Sequence, residues 1–172
     1  MTNKITFIVG GARSGKSEYA LGLASKAKEV AFIATCEALD EEMVDRIKLH
    51  KLSRPKHWTT YEEPLAVAEI IRKRSAGHGL ILIDCLTLLV TNLLLKRKTI
   101  EQVELEIVSI MKALEKHKGH SVIVSNEVGL GIVPHTRLGR DFRDIAGRMN
   151  KIVAERSDRM FFMISGIPWR VK

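Results

Sequence analysis

The sequence predicts an α/β fold, a three-layer arrangement in which a mostly parallel sheet carries helices on both faces. Two observations carry this. Short apolar runs alternate with longer amphipathic ones, as parallel strands joined by crossover helices require. The polar and glycine-rich segments also fall just after the apolar runs, at the strand ends where such sheets bind ligands. With 172 residues, 45% apolar and 28% charged, the chain suits one domain, residues 1–172, with a sizeable core.

Ile5–Val9 is the first strand and runs straight into glycines. A helix from Lys16 to about Lys28 sets Ala20, Leu23, Ala24 and Ala27 on one face. Val30–Thr35 is the second strand, and Asp40 is an N-cap for a helix to about Ser53. In that helix Met43, Ile47 and His50 share a face. Trp58–Tyr61 is a short strand, Pro64 opens a helix through Ser75, and Gly77 and Gly79 break the chain before the strand Leu80–Ile83. The helix Ile100–His117 carries Val103, Ile107, Ile110, Met111 and Leu114 in one stripe, with Gly119 as its stop. Strand Ser121–Ser125 leads into a glycine-rich loop, Val128–Pro134. A last helix, Leu138 to about Arg156, turns Phe142, Ile145, Ala146, Met149 and Val153 inward, and Met160–Ile164 closes the sheet.

Ile5–Val9 is too short for a secretory leader, and Asp84 and Asn92 interrupt the apolar stretch Leu80–Leu95. That stretch also falls short of the roughly 20 residues of a membrane span, so strand followed by buried helix is the reading. Two cysteines, Cys36 and Cys85, form neither a zinc spacing nor a disulfide framework, which points to a cytoplasmic setting. The net charge of +8 favours anionic partners, although a well-solvated basic surface explains many of the cations equally well.

Gly10-Gly11-Ala12-Arg13-Ser14-Gly15-Lys16-Ser17 matches G-x-x-x-x-G-K-[ST] in full. Glycines let successive N–H groups curl into an anion-sized nest, and the helix starting at Lys16 adds its positive end. Lys16 neutralises the outer phosphates of a nucleoside triphosphate, and the Ser17 hydroxyl can hold Mg²⁺. Asp84 ends an apolar strand. It either caps the following helix or helps to hold Mg²⁺, a ribose or a base, and the neighbouring P-loop favours the second. A lone histidine on an apolar face, as His50 is, ordinarily belongs to the core. Lys51 and Arg54 give it a cationic setting, however, and an imidazole beside an α-phosphate could attack it. Asn126–Gly131 also follows a strand, but its glycines alone only signal a turn. Arg137, Arg140, Arg143 and Arg148 suit a phosphate pocket or, for at least half of them, a solvated helix face.

Over nearly its whole length the chain resembles the bifunctional adenosylcobinamide kinase/adenosylcobinamide-phosphate guanylyltransferase family of cobalamin biosynthesis. The resemblance rests on the P-loop, Ile33-Ala34-Thr35, Asp40–Met43 with Arg46-Ile47 and His50-Lys51, then Arg54-Pro55, His57-Trp58 and Glu62. It continues through Val90–Leu94, Asn126–Pro134, Phe142–Gly147 and Ser165–Pro168. The resemblance implies a RecA-like P-loop sheet, a homotrimer and two reactions. First, a γ-phosphoryl group passes from ATP or GTP to the hydroxyl of adenosylcobinamide. Then His50 takes GMP from GTP and delivers it to adenosylcobinamide phosphate.

It further implies nucleotide contacts at Gly10 to Ser17, at Thr35, Cys36 and Glu37, at Lys51, Leu52, Ser53 and Arg54, and at Glu62 and Asp84. Some relatives carry paired histidines where this chain has Leu49 and His50, leaving His50 as the local candidate, and Asp84 stands where some have glutamate. The competing readings are a kinase that moves only γ-phosphoryl groups and a RecA-like ATPase on nucleic acid. Against the latter, aromatic residues make up only 5% of the chain, and no stacking platform is evident. A nucleophilic His50 must be neutral, so guanylylation is expected to slow as pH falls through the imidazole pKa. A single-turnover rate that stays flat between about pH 5 and 8 would contradict this.

Overall fold

The computed structural model describes residues 4–37, 41–52 and 54–172. The side chains of Glu42, Met43, Arg46, Ile47, Leu49 and His50 lie outside that description, as do Asp40 with its capping role and Ser53.

Strands β1 (Ile5–Gly10), β2 (Val30–Ala34), β3 (Thr59–Glu62), β4 (Leu80–Asp84), β5 (His120–Asn126), β6 (Arg159–Ile164) and β7 (Ile167–Arg170) form one seven-stranded sheet in the order β3-β2-β4-β5-β1-β6-β7. All neighbours are parallel except β6 and β7. The helices are α1 (Lys16–Ala24), α2 (Glu41–Leu52), α3 (Val67–Arg74), α4 (Leu86–Leu95), α5 (Ile100–Lys116) and α6 (Arg137–Arg156).

Alternation along the central strands divides the core in two. Phe7, Val9, Ile33, Ile81, Ile83 and Ile123 face α3, α4, α5 and α6. Ile8, Phe32, Leu82, Val122 and Val124 face the other way, toward Ala20 and Ala24 of α1 and toward Trp58. The predicted stripe of α5 is wholly buried, and a capping box between Thr99 and Gln102 starts that helix. Among the described residues no helix is long and apolar enough to cross a membrane.

Three elements differ from the sequence reading for identifiable physical reasons, and a fourth, strand β7, is added. Helix α1 stops at Ala24, where the Ser25 hydroxyl turns back onto the Gly22 carbonyl. The short strand starts at Thr59, because Trp58 lies under the sheet beside Phe32. Helix α3 starts at Val67, three residues after Pro64, since a Glu63 carboxylate oxygen first accepts from the N–H groups of Leu65 and Ala66. Strand β7 is unforeseen. Its residues are all exposed and include Pro168, so it has no buried alternation to read.

The first turn of α3 borrows a cap from α5, where Glu106 Oε1 accepts the Ala68 N–H at 2.9 Å. Burial outweighs that hydrogen bond and raises the Glu106 pKa. A carboxyl whose folded pKa is raised stabilises the fold at low pH, and that contribution fades as pH rises through the folded value. Glu106→Gln keeps an acceptor without the charge and is therefore expected to unfold at or above the wild-type temperature at pH 7. Glu106→Ala strands the N–H and is expected to cost about 1 kcal/mol in thermal melts.

Candidate active site

A cleft of about 930 Å³ opens at the carboxyl ends of β1, β2, β4 and β5. The turn between β1 and α1 forms one wall. Gly10 must lack a side chain, because a Cβ would lie 2.7 Å from the Met163 carbonyl oxygen. Gly15 holds a left-handed φ of 86°, and Arg13, without glycine's freedom, holds 55°. Backbone bonds brace the loop on both sides, from Glu127 N–H to the Gly10 carbonyl at 2.9 Å and from Gly166 N–H to the Ser14 carbonyl at 3.1 Å.

Lys16 is only 7% exposed, and its ammonium donates to the Gly11 carbonyl at 2.5 Å. Burial lowers its pKa, partly offset by Cys85 and Asp84. The buried Cys85 thiol is itself pushed up to about 12 by burial and by Asp84, so Asp84 supplies the neighbouring anionic charge at neutral pH. The Ser14 hydroxyl is buried without a partner among the described residues. A loop with an unpaired hydroxyl, a desolvated ammonium and a helix start is built to receive an anion.

Ala12, Arg13, Ser14, Gly15, Lys16 and Ser17 line the cleft, with Cys36, Glu37, Lys51, Arg54, Glu62 and Asp84 from elsewhere in the chain. Lys51 and Glu62 form an ion pair at the rim. Arg54 lies with its guanidinium carbon 3.9 Å over the Phe32 ring, and its Nε and Nη1 are buried without partners among the described residues. Burial lowers its pKa against the pull of Asp84 and Glu62, yet a guanidinium remains charged. The result is a fixed cation with unspent donors.

Not every anticipated contact sits in the wall. Gly10 and Gly11 shape the loop from behind, and Leu52 is 81% exposed away from the lining. Ser53 lies outside the described residues. Thr35 is wholly buried beneath the floor. Its hydroxyl donates to the Cys85 carbonyl at 2.7 Å and accepts the Cys85 N–H at 2.9 Å, while Asn92 Nδ2 donates to the Thr35 and Pro64 carbonyls. Thr35 therefore orients the Asp84–Cys85 corner. Thr35→Val strands a buried N–H and carbonyl, and is expected to cost about 2 kcal/mol in denaturant unfolding.

The helix α6 arginines serve other ends: Arg140 holds the carbonyls of Pro134 and His135, Arg137 and Arg143 pair with Asp141 and Asp144, and Arg148 is exposed. Lys48 and Asn126 line the cleft without having been singled out as site residues. Lys48 is visible as one helical turn from Leu52, and Asn126, like Asp84, as a polar residue ending an apolar strand.

Ser17 and Asp84 together could hold Mg²⁺, which takes one or two protein oxygens and otherwise keeps waters and phosphate oxygens. No cluster of three or more His, Cys, Asp or Glu offers a metal cage among the described residues.

A seven-stranded, largely parallel sheet with a P-loop after its β1 strand defines a P-loop α/β protein with a cleft built for phosphates. Residues 6–171 match the family described as cobinamide kinase / cobinamide phosphate guanyltransferase. The chain is 39% identical to the bifunctional adenosylcobalamin biosynthesis protein CobU of Escherichia coli (strain K12), covering 96% of this chain and 98% of that protein. It is 43% identical to the bifunctional protein CobP of Pseudomonas aeruginosa, covering 96% and 95%. Against CobU of Salmonella typhimurium the identity is 41%, covering 96% and 98%. The chain belongs to this cobinamide kinase and guanyltransferase family.

Proposed function

We propose that the chain, acting as one nucleotide-binding domain over residues 1–172, carries out both reactions of its family in the cytoplasm. It phosphorylates adenosylcobinamide with ATP or GTP, and then transfers GMP from GTP to adenosylcobinamide phosphate, giving adenosylcobinamide-GDP. The observation that carries this reading is one shared cleft. It joins the phosphate-binding turn to Lys51, Arg54, Glu62 and Asp84, in a chain matching both-activity relatives end to end.

In the kinase step the substrate hydroxyl oxygen attacks the γ-phosphorus, the bond to the β-bridging oxygen breaks, and the nucleoside diphosphate leaves. Lys16 and the backbone N–H nest stabilise charge gathering on the leaving oxygens. Mg²⁺, held by Ser17 and Asp84, would supply further charge neutralisation when bound.

In the guanylyl step a neutral His50 nitrogen attacks the α-phosphorus and pyrophosphate departs. The cobinamide phosphate oxygen then displaces His50 and carries away GMP. The placement of His50 in α2, one residue before cleft-lining Lys51, supports that role, which is outside the described side chains. Arg54 and Glu62 are the binding groups toward the far end of the nucleotide. Thr35, Cys36, Glu37 and the segment Lys51–Ser53 complete that wall.

The assembly is a homotrimer. The exposed apolar residues Leu130, Ile132 and Leu138 after β5, and Ile167 and Trp169 on the edge strand β7, support association of copies. Light scattering coupled to size exclusion checks it: a three-chain mass is expected, and a single-chain mass would overturn it. Nucleic acid is no partner, so retention on DNA or RNA is expected to be negligible at any salt concentration. The function itself is tested by incubating the protein with cobinamide, GTP and Mg²⁺. Cobinamide phosphate and then cobinamide-GDP are expected, and phosphate without the GDP form would reduce the protein to a kinase.

A further inference from the structure

The geometry points to Asn126 as a catalytic residue of the phosphoryl-transfer step, its carboxamide contacting the γ-phosphoryl group at the junction with the attacking hydroxyl. This rests on the function proposed above.

Strand order sets the position. Asn126 ends β5, between β1, which delivers the P-loop, and β4, which ends at Asp84. In the sheet register it stands directly beside Gly10, the first residue of the loop, whereas Glu62 ends β3 at the opposite edge. Asn126 therefore lies at the phosphate end of the cleft, which it lines.

Its backbone is clamped from two helices. Thr87 Oγ1 of α4 accepts the Asn126 N–H at 2.6 Å, and Asn150 Nδ2 of α6 donates to the Asn126 carbonyl at 3.1 Å. Ser125 links the two clamps, its hydroxyl 3.0 Å from Thr87 Oγ1 and 2.7 Å from Asn150 Oδ1. Thr87, Ser125 and Asn150 are all buried, and the next residue, Glu127, is tied to the Gly10 carbonyl at 2.9 Å.

Four residues thus fix one backbone position against the P-loop, while the Asn126 carboxamide makes no hydrogen bond among the described residues. A buried polar network spent on orienting an unpaired side chain is the architecture of a preorganised contact. The amide matches both groups that meet there: Nδ2–H donates to a phosphoryl oxygen, and Oδ1 accepts from a hydroxyl.

Steady-state kinetics of cobinamide phosphorylation by ATP, with Tm measured in parallel, tests this. Asn126→Ala is expected to lower kcat about 100-fold while KM for ATP stays within about threefold. Asn126→Asp has the same shape but lacks the donor and repels phosphate, so it is expected to be at least as impaired. Asn150→Ala, which removes a positioning residue, is expected to lower kcat about tenfold. Its effect should vanish when Asn126 is already alanine, because the two act through one contact. An Asn126→Ala enzyme within about threefold of wild-type kcat, or an Asn126→Asp enzyme restored to wild type, overturns the assignment. If the wild-type protein does not phosphorylate cobinamide at all, the function proposed above falls, and the role of Asn126 falls with it.

Discussion

Lys16→Met is expected to abolish both reactions, lowering each by at least about 1000-fold, while the protein stays folded. In the proposed function the ammonium meets the β and γ phosphates, where charge collects. In the kinase step that charge builds on the departing nucleoside diphosphate, and in the guanylyl step on departing pyrophosphate. One side chain serves two leaving groups, so the losses should run in parallel. Stability should move the other way. Burial lowers the Lys16 pKa, and a base with a lowered folded pKa holds its charge at a cost to the fold throughout neutral pH, a cost relieved only as pH rises toward the unfolded value. Removing the charge is therefore expected to leave Tm at or above wild type. Initial rates of both product-forming steps, with differential scanning fluorimetry on the same preparations, check it. Loss of one activity with the other intact would mean the two reactions do not share the loop.

His50→Ala is expected to separate them. Guanylyl transfer should fall below detection, because the proposed covalent intermediate forms on His50 and a leucine at 49 has no nucleophilic atom to replace it. Phosphoryl transfer to cobinamide should stay within about threefold of wild type, since the proposed mechanism gives His50 no part in γ-transfer. Product analysis by chromatography would show cobinamide phosphate accumulating without its GDP form.

The architecture was largely legible in the sequence because its strands are buried on both faces and read as unbroken apolar runs, as Leu80–Ile83 does. The P-loop was legible because its backbone geometry demands glycines and a lysine at fixed spacing. Two kinds of feature were hidden. Strand β7 carries no burial pattern, being an exposed edge with a proline. The Thr87–Ser125–Asn150 network was hidden for a different reason. Its members lie in α4, β5 and α6, where Thr87 and Ser125 look like isolated polar residues in apolar stretches and Asn150 like one more polar residue of an amphipathic helix, so only the fold brings them to one point. The same holds for Thr35, which the family resemblance placed among the nucleotide contacts: that its hydroxyl engages the Cys85 peptide is visible only in the fold. Arg54 could be placed near phosphates by its charge, but not over Phe32, because the segment after α2 and strand β2 meet there only in three dimensions.

In the proposed function one cleft serves two different phosphorus atoms of a triphosphate. The most direct test of that dual use is to incubate the protein with Mg²⁺ and GTP labelled at either the α or the γ phosphate, and then to denature it. Label from the α position is expected to remain on the wild-type chain, labile to acid and stable to alkali as a phosphorus–nitrogen bond to histidine is, and to be absent from His50→Ala. Label from the γ position is expected to leave with pyrophosphate. A wild-type chain that retains no α label, or a His50→Ala chain that retains it in full, would contradict the account.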